Sequence, residues 1–239
     1  MGLLIAIGIV FGDIGTSPLY VMRTIMRANP HFSANYILGA VSCIIWTLTL
    51  QTTLKYVVIA LRADNQGEGG VLALFALIRK RGSRWLYLVA MLGASTLIVD
   101  GVITPAITVT SAIEGLHGIS INIPIVLIVV VIISVVFFIQ RFGTGSIGSY
   151  FGPFMLVWFL LLGVLGIVHI ADFPLIVKAF NPYYAIELLS SSPEWFLILG
   201  AVFLCTTGAE ALYSDLGHCG RRNITVSWIF VKVMLILNY

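Results

Sequence analysis

The stretch FGDIGTSPLY, Phe11 to Tyr20, decides how this chain is read. It sits inside an apolar run, residues 3–27, long enough to cross a bilayer, which takes about 20 apolar residues. Within that run it places an acid, two glycines, two hydroxyls, a proline and a tyrosine. Gly12 and Gly15 loosen helical backbone, and Pro18 removes a donor and clashes with the carbonyl of Ile14. The predicted result is a broken helix. Amides and carbonyls freed at membrane depth are tolerated only where they line a cavity or hold a ligand. Asp13 in oil is costly and points to use. Freed carbonyls, a carboxylate and hydroxyls make an oxygen cage, which suits a hard cation. Thr16, Ser17 and Tyr20 weigh less one by one, because buried hydroxyls often bond their own helix.

Composition agrees with a bilayer as solvent. The chain has 239 residues, 59% hydrophobic and 10% charged, where a soluble domain shows roughly 25% charged. The net charge of +3 is too small to suggest nucleic acid. Cys43, Cys205 and Cys219 show neither a CxxC nor a His spacing for zinc, and read as small core residues. There is no Ser–His constellation, so an enzyme is not expected. The first hydrophobic run has no basic region or cleavage site of a signal peptide before it. The last residues, VKVMLILNY, lie inside another apolar run, so a piece of a longer protein is expected.

Seven spans are predicted, at about 3–27, 35–61, 85–113, 121–140, 148–170, 195–214 and from 224 onward. The ten-residue alternation of a porin-like barrel is absent, so these are helices. Arg62, Arg79, Lys80, Arg81, Arg84, Arg141, Arg221 and Arg222 fall in loops on one side, against Arg23, Arg27 and Lys178 on the other. The positive-inside rule then makes the N-terminus and the 62–84 loop cytoplasmic. GGVLALFALIRK, residues 69–80, is too short to span and reads as an interfacial or re-entrant helix. RADNQGEGG before it reads as a turn, and NPYY at 181–184 as an external turn. Lys55 is expected to snorkel, Asp215 to be a solvated cap, His117 and His169 to lie at span ends, and His218 in a cytoplasmic loop.

Two more spans carry acids. In DGVITPAITVTSAIEG, residues 100–115, Thr104, Thr108, Ser111 and Glu114 fall within about 80° of Asp100 at roughly 100° per residue. A lipid-facing helix would not carry such an oxygen stripe, so it should face the bundle interior. Pro105 should free the carbonyl of Gly101. Asp100 and Glu114 lie on the order of 21 Å apart at the helical rise, too far to share one ion. They mark two stations on a path, or Glu114 reaches external water. In the sixth span, CTTGAEALYSDLGH sets Glu210 after Thr206, Thr207 and Gly208. Two interrupted helices at corresponding places in two halves point to an inverted-repeat transporter. A buried Glu that exchanges a proton as a cation comes and goes gives a chemical route to proton coupling.

GDIGTSPLY, DNQGEGG, DGVITPAITVTSAIEG and TGAEALYSDLGH occur in order along nearly the whole chain, and together they resemble the KUP (Kup/HAK/KT) potassium uptake permeases. The resemblance implies an all-α integral membrane protein with a five-plus-five inverted-repeat core of the amino acid–polyamine–organocation superfamily. Its first and sixth helices would be broken. Residues 1–170 would form the first repeat, with an interfacial segment at about 66–84, and 171–239 would start a truncated second repeat. The implied activity is secondary K⁺ uptake across the plasma membrane by H⁺ symport, with no cofactor. Asp13, Tyr20, Asp100, Thr104, Thr108 and Thr207 are the implied K⁺ ligands, with Asp13 and Asp100 its carboxylates. Glu210 is the implied proton-coupling acid and Glu114 a further acid of the path. The expected partners are K⁺, H⁺, the lipid bilayer and the remainder of the same chain, and a homodimer is allowed. Family members carry about twelve helices, and this chain reaches the seventh. The competing readings are another cation- or amino-acid-coupled symporter of this fold, and a potassium channel. Two acids at the breaks are unwelcoming to an amino-acid carboxylate, and no stacked-carbonyl filter is visible.

Overall fold

The break written into Phe11–Tyr20 is present. Helix α1 (Gly2–Val10) ends there, a tight turn at Ser17–Leu19 follows with Pro18 just inside its start, and α2 (Val21–Ala28) resumes. The protein is seen here as a computed structural model that describes residues 2–28, 33–79, 84–115, 124–140 and 145–239, and side chains at all of these except 140 and 145–150. Lys80, Arg81, His117 and Arg141 lie outside the described residues.

Every element found among the described residues is helical, save one isolated bridge between Asn65 and Glu68. Helix α3 (Ala34–Thr47) is capped by Ser33, whose hydroxyl accepts from the Tyr36 amide. It runs on as Leu48–Ile59, a widened π-type winding that the sequence did not signal. There the Thr53 hydroxyl bonds the Leu48 carbonyl, and Trp228 and Lys232 both donate to Thr53 Oγ1 at 3.0 and 3.1 Å. The short α4 (Gly70–Ile78) follows the 65–68 turn, as expected of a segment too short to span. Helix α5 (Arg84–Glu114) passes Pro105 unbroken, although the proline has no N–H to offer the Gly101 carbonyl. Next come α6 (Ile125–Gln140) and α7 (Gly145–Asp172). NPYY is not a free turn: Asn181 Oδ1 accepts from the Tyr183 amide, and α8 (Tyr183–Ser191) starts at once.

The sixth span is broken like the first. Helix α9 (Trp195–Phe203) tightens at Leu204–Thr206, opens over 207–210, and resumes as α10 (Ala211–Ser214) and α11 (Leu216–Cys219). His218 is thus in α11 rather than a loop, and Asp215 precedes it without making a capping hydrogen bond. Helix α12 (Arg221–Asn238) closes the described chain. Four of these stretches, Ala34–Arg62, Arg84–Glu114, Phe151–Asp172 and Trp195–Ser214, are long and apolar enough to cross a bilayer. This is an integral membrane protein.

The core lies where α1, α7 and α12 meet, around Phe11, Phe159 and Trp228. Phe11 stacks on Trp228 with ring centroids 6.0 Å apart. In lipid there is little hydrophobic drive between helices, so contact rests on small residues that let backbones approach. A Cβ at Gly8 would stand 2.5 Å from the Gly152 nitrogen, and one at Gly152 would stand 2.4 Å from the Leu4 carbonyl oxygen. Helices α5 and α6 instead turn most of their large apolar side chains outward, a surface suited to lipid. All three cysteines are buried and free, as expected of core residues. Lys55 is exposed, its ammonium 4.7 Å from the Tyr56 ring centroid.

The Gly8–Gly152 contact predicts a stability difference. Gly8→Ala should lower the thermal midpoint of the detergent-solubilised full-length protein, by about 1 °C for each kcal/mol lost, since the shift shrinks as the chain lengthens. Gly200→Ala, whose Cβ meets nothing within 4 Å, should leave it unchanged or raise it slightly. Intrinsic tryptophan fluorescence during a thermal ramp measures both.

Candidate cation site

Gly208 joins the two breaks. It has φ +85°, in the left-handed region that glycine tolerates best. A Cβ there would lie 2.7 Å from Asp13 Cβ and 2.9 Å from the Ile14 nitrogen. The interrupted backbone of the sixth span therefore rests directly on that of the first. Both sequences are soft for the same reason: glycines and hydroxyls replace the apolar residues that would keep a helix going.

The breaks satisfy part of their own polarity. The Asp13 carbonyl accepts from both the amide and the hydroxyl of Thr16, at 3.0 and 2.8 Å. Trp158 on α7 donates its indole N–H to the Gly15 carbonyl at 2.9 Å. The Thr206 hydroxyl bonds the Phe203 carbonyl at 2.8 Å. The carbonyls of Asp13 and Gly15 are thus engaged inside the protein. Side-chain oxygens converge beside them.

Three of them are carboxylates. One oxygen from each of Asp13, Asp100 and Glu210 lies within 4.8 Å of the others, and all three residues are half-buried. Asp13 comes from the first break, Glu210 from the second, and Asp100 from the middle of α5. Asp100 is braced by Thr104 one turn on, whose hydroxyl donates to Asp100 Oδ1 at 2.9 Å. Three ionised carboxylates this close repel, so the group calls for a cation or a proton.

Asp100 borders three openings. One, of about 540 Å³, runs past Tyr20, Thr104 and Thr207 to Arg23, Arg27 and Glu114. Another, of about 470 Å³, is lined by Tyr56, Thr96, Thr206, Thr207 and Glu210. A third, of about 370 Å³, contains Asp13, Thr16, Gly101, Thr104 and Thr108. Asp100 and Thr207 therefore stand between the first two.

The expected site residues separate into two places. Asp13, Asp100, Thr104 and Glu210 come together, and Thr207 and Thr108 line the cavities that reach them. Thr108 also lies 3.4 Å from the Thr16 hydroxyl. Tyr20 is buried, with its hydroxyl 3.3 Å from Ser17 Oγ. Glu114 stands apart: its carboxylate pairs with Arg23 of α2 at 2.5 Å. Its outlet is that guanidinium rather than water alone. Sequence reasoning missed Trp158 and Tyr56. Each is one aromatic residue in an apolar helix, and nothing in its spacing marks it.

The chain matches the family described as K⁺ potassium transporter integral membrane domain over residues 1–239. It is 56% identical over 241 residues to a protein of Flavobacterium johnsoniae named probable potassium transport system protein Kup, covering 100% of this chain and 36% of that one. It is 53% identical over 252 residues to a protein of the same name in Latilactobacillus sakei, covering 100% of this chain and 37% of that one. It is 56% identical over 248 residues to probable potassium transport system protein Kup 2 of Lactococcus lactis, again covering 100% and 37%. The chain thus spans little more than a third of the length of these relatives. No solved structure matches it significantly. With the whole chain matched and identities above half, this protein belongs to the KUP family of potassium transporters.

Proposed function

We propose that the full protein takes up K⁺ across the plasma membrane by H⁺ symport. The N-terminus and the 62–84 loop are cytoplasmic, and residues 1–170 and 171–239 belong to two inverted repeats of five helices each. K⁺ binds between Asp13 and Asp100, with oxygens from Tyr20, Thr104, Thr108 and Thr207 completing the shell along the approach. The observation that carries this reading is the meeting of Asp13, Asp100 and Glu210 where two broken helices touch.

The same geometry supports proton coupling. One K⁺ offsets one of three negative charges, and the remaining repulsion is relieved by a proton. Glu210 exchanges that proton. It heads α10 and lines the 470 Å³ cavity. With both cations aboard, the cluster carries one net negative charge rather than two or three, so the doubly loaded state costs least to carry through the membrane interior, and that ties the movement of K⁺ to that of H⁺. A helix pair that rocks about the Gly208–Asp13 contact would expose Asp100 first to one cavity and then to the other.

Three outcomes test this. In a bacterium lacking its own K⁺ uptake, full-length wild type should restore growth on low K⁺ and carry Rb⁺, whereas Asp13→Asn should lose at least tenfold in Rb⁺ uptake. Glu210→Gln should retain Rb⁺ binding but lose the dependence of uptake on external pH. Normal uptake and pH response in both variants would make these acids structural. Gly208→Ala should cut uptake as severely as Asp13→Asn while the protein still reaches the membrane, because a methyl there meets Asp13 itself; immunoblotting of membranes against uptake rate separates the two effects.

A further inference from the structure

The 540 Å³ cavity that leads to Asp100 is lined by two guanidinium groups, Arg23 and Arg27. Positive side chains are an odd lining for a cation's approach, because each repels the ion it meets. Glu114 lines the same cavity and pairs with Arg23, the one ion pair among the described residues. The two side chains are 49% and 33% exposed. An ion pair this wet contributes little to stability, so packing does not explain it. Few other contacts tie α2 to the end of α5.

We infer that Glu114 is a charge compensator and positioning residue for this vestibule: it neutralises Arg23 and holds its guanidinium aside, so that a monovalent cation can reach Asp100. Glu114 then does not itself hold the ion. This inference rests on the reading of Asp13, Asp100 and Glu210 as the cation site, and it assigns the function of the cavity beside them. Without Glu114, both guanidiniums stand uncompensated along the approach, and Arg23 is free to swing toward Asp100. The cost falls on cation entry rather than on later steps of the cycle, so it belongs in the apparent affinity. It is also screened by salt, since the pair is solvent-exposed.

The test has two arms on the full-length protein. In Rb⁺ uptake, Glu114→Gln should raise the half-saturating Rb⁺ concentration by roughly threefold to tenfold, the effect of one uncompensated charge at vestibule distances, with maximal rate little changed. Arg23→Gln added to Glu114→Gln should restore it, and the exchange Arg23→Glu with Glu114→Arg should restore most of it. The second arm does not need transport. With native cysteines replaced and Ala106→Cys introduced in the cavity wall, Glu114→Gln should slow labelling by a cationic methanethiosulfonate relative to a neutral one, and Arg23→Gln should reverse this. Additive losses in the double variant, or labelling ratios that ignore Glu114, would overturn the proposal and make Glu114 a station in its own right. Normal charge-dependent labelling in a protein that carries no Rb⁺ would sustain the vestibule and overturn the transport reading instead.

Discussion

Two helices are interrupted in a solvent that offers no hydrogen bonds, and everything around the site follows from how that is tolerated. An unpaired backbone group in hydrocarbon costs several kcal/mol, about as much as a sizeable share of a protein's stability. The breaks at 11–20 and 204–210 survive because they are buried on each other. Gly208 is the contact point: its missing side chain and its positive φ let the second break lie on Asp13. Trp158 supplies the hydrogen bond that the lost helix no longer gives Gly15. The side chains of Asp13, Thr207 and Glu210, also on these breaks, line the cavities.

Helix α5 supplies the third acid in a different way. It is not broken, and its Pro105 does not open it. Its oxygen stripe, from Asp100 through Thr104 and Thr108 to Glu114, lets one regular helix line both the carboxylate cluster and the cavities beside it. The same helix turns its apolar faces outward, so one element presents oxygens on one side and a lipid-suited surface on the other. The division of labour is physical. Broken segments bring groups from distant parts of the sequence to one point, and an unbroken helix spaces groups along a line.

Much of this was legible in the sequence because polar residues inside apolar runs stand out. The breaks, the three acids, the short α4 and the stripe of α5 all follow from residue type and helical spacing. The meeting of Asp13, Asp100 and Glu210 at one point does not follow, since they are separated by whole spans and nothing in local pattern sets their distance. The pairing of Glu114 with Arg23 was hidden for the same reason, the partners being 91 positions apart. The wide winding at Leu48–Ile59 left no mark either: its sequence, LTLQTTLKYVVI, suits an ordinary helix, and it is the neighbouring Trp228 and Lys232 that hold Thr53. Hydrogen bonds to backbone carbonyls, such as that of Trp158, are invisible to any reading of side-chain types alone.

The central claim is that the junction of the two breaks is where the cation sits. The most direct measurement is a structure of the full-length protein in Rb⁺, with the ion located by its anomalous scattering. The account predicts a peak in contact with the carboxylates of Asp13 and Asp100, beside Glu210 and beneath Gly208. A well-occupied Rb⁺ elsewhere along the path, with these three acids bonded only to protein or water, would contradict it.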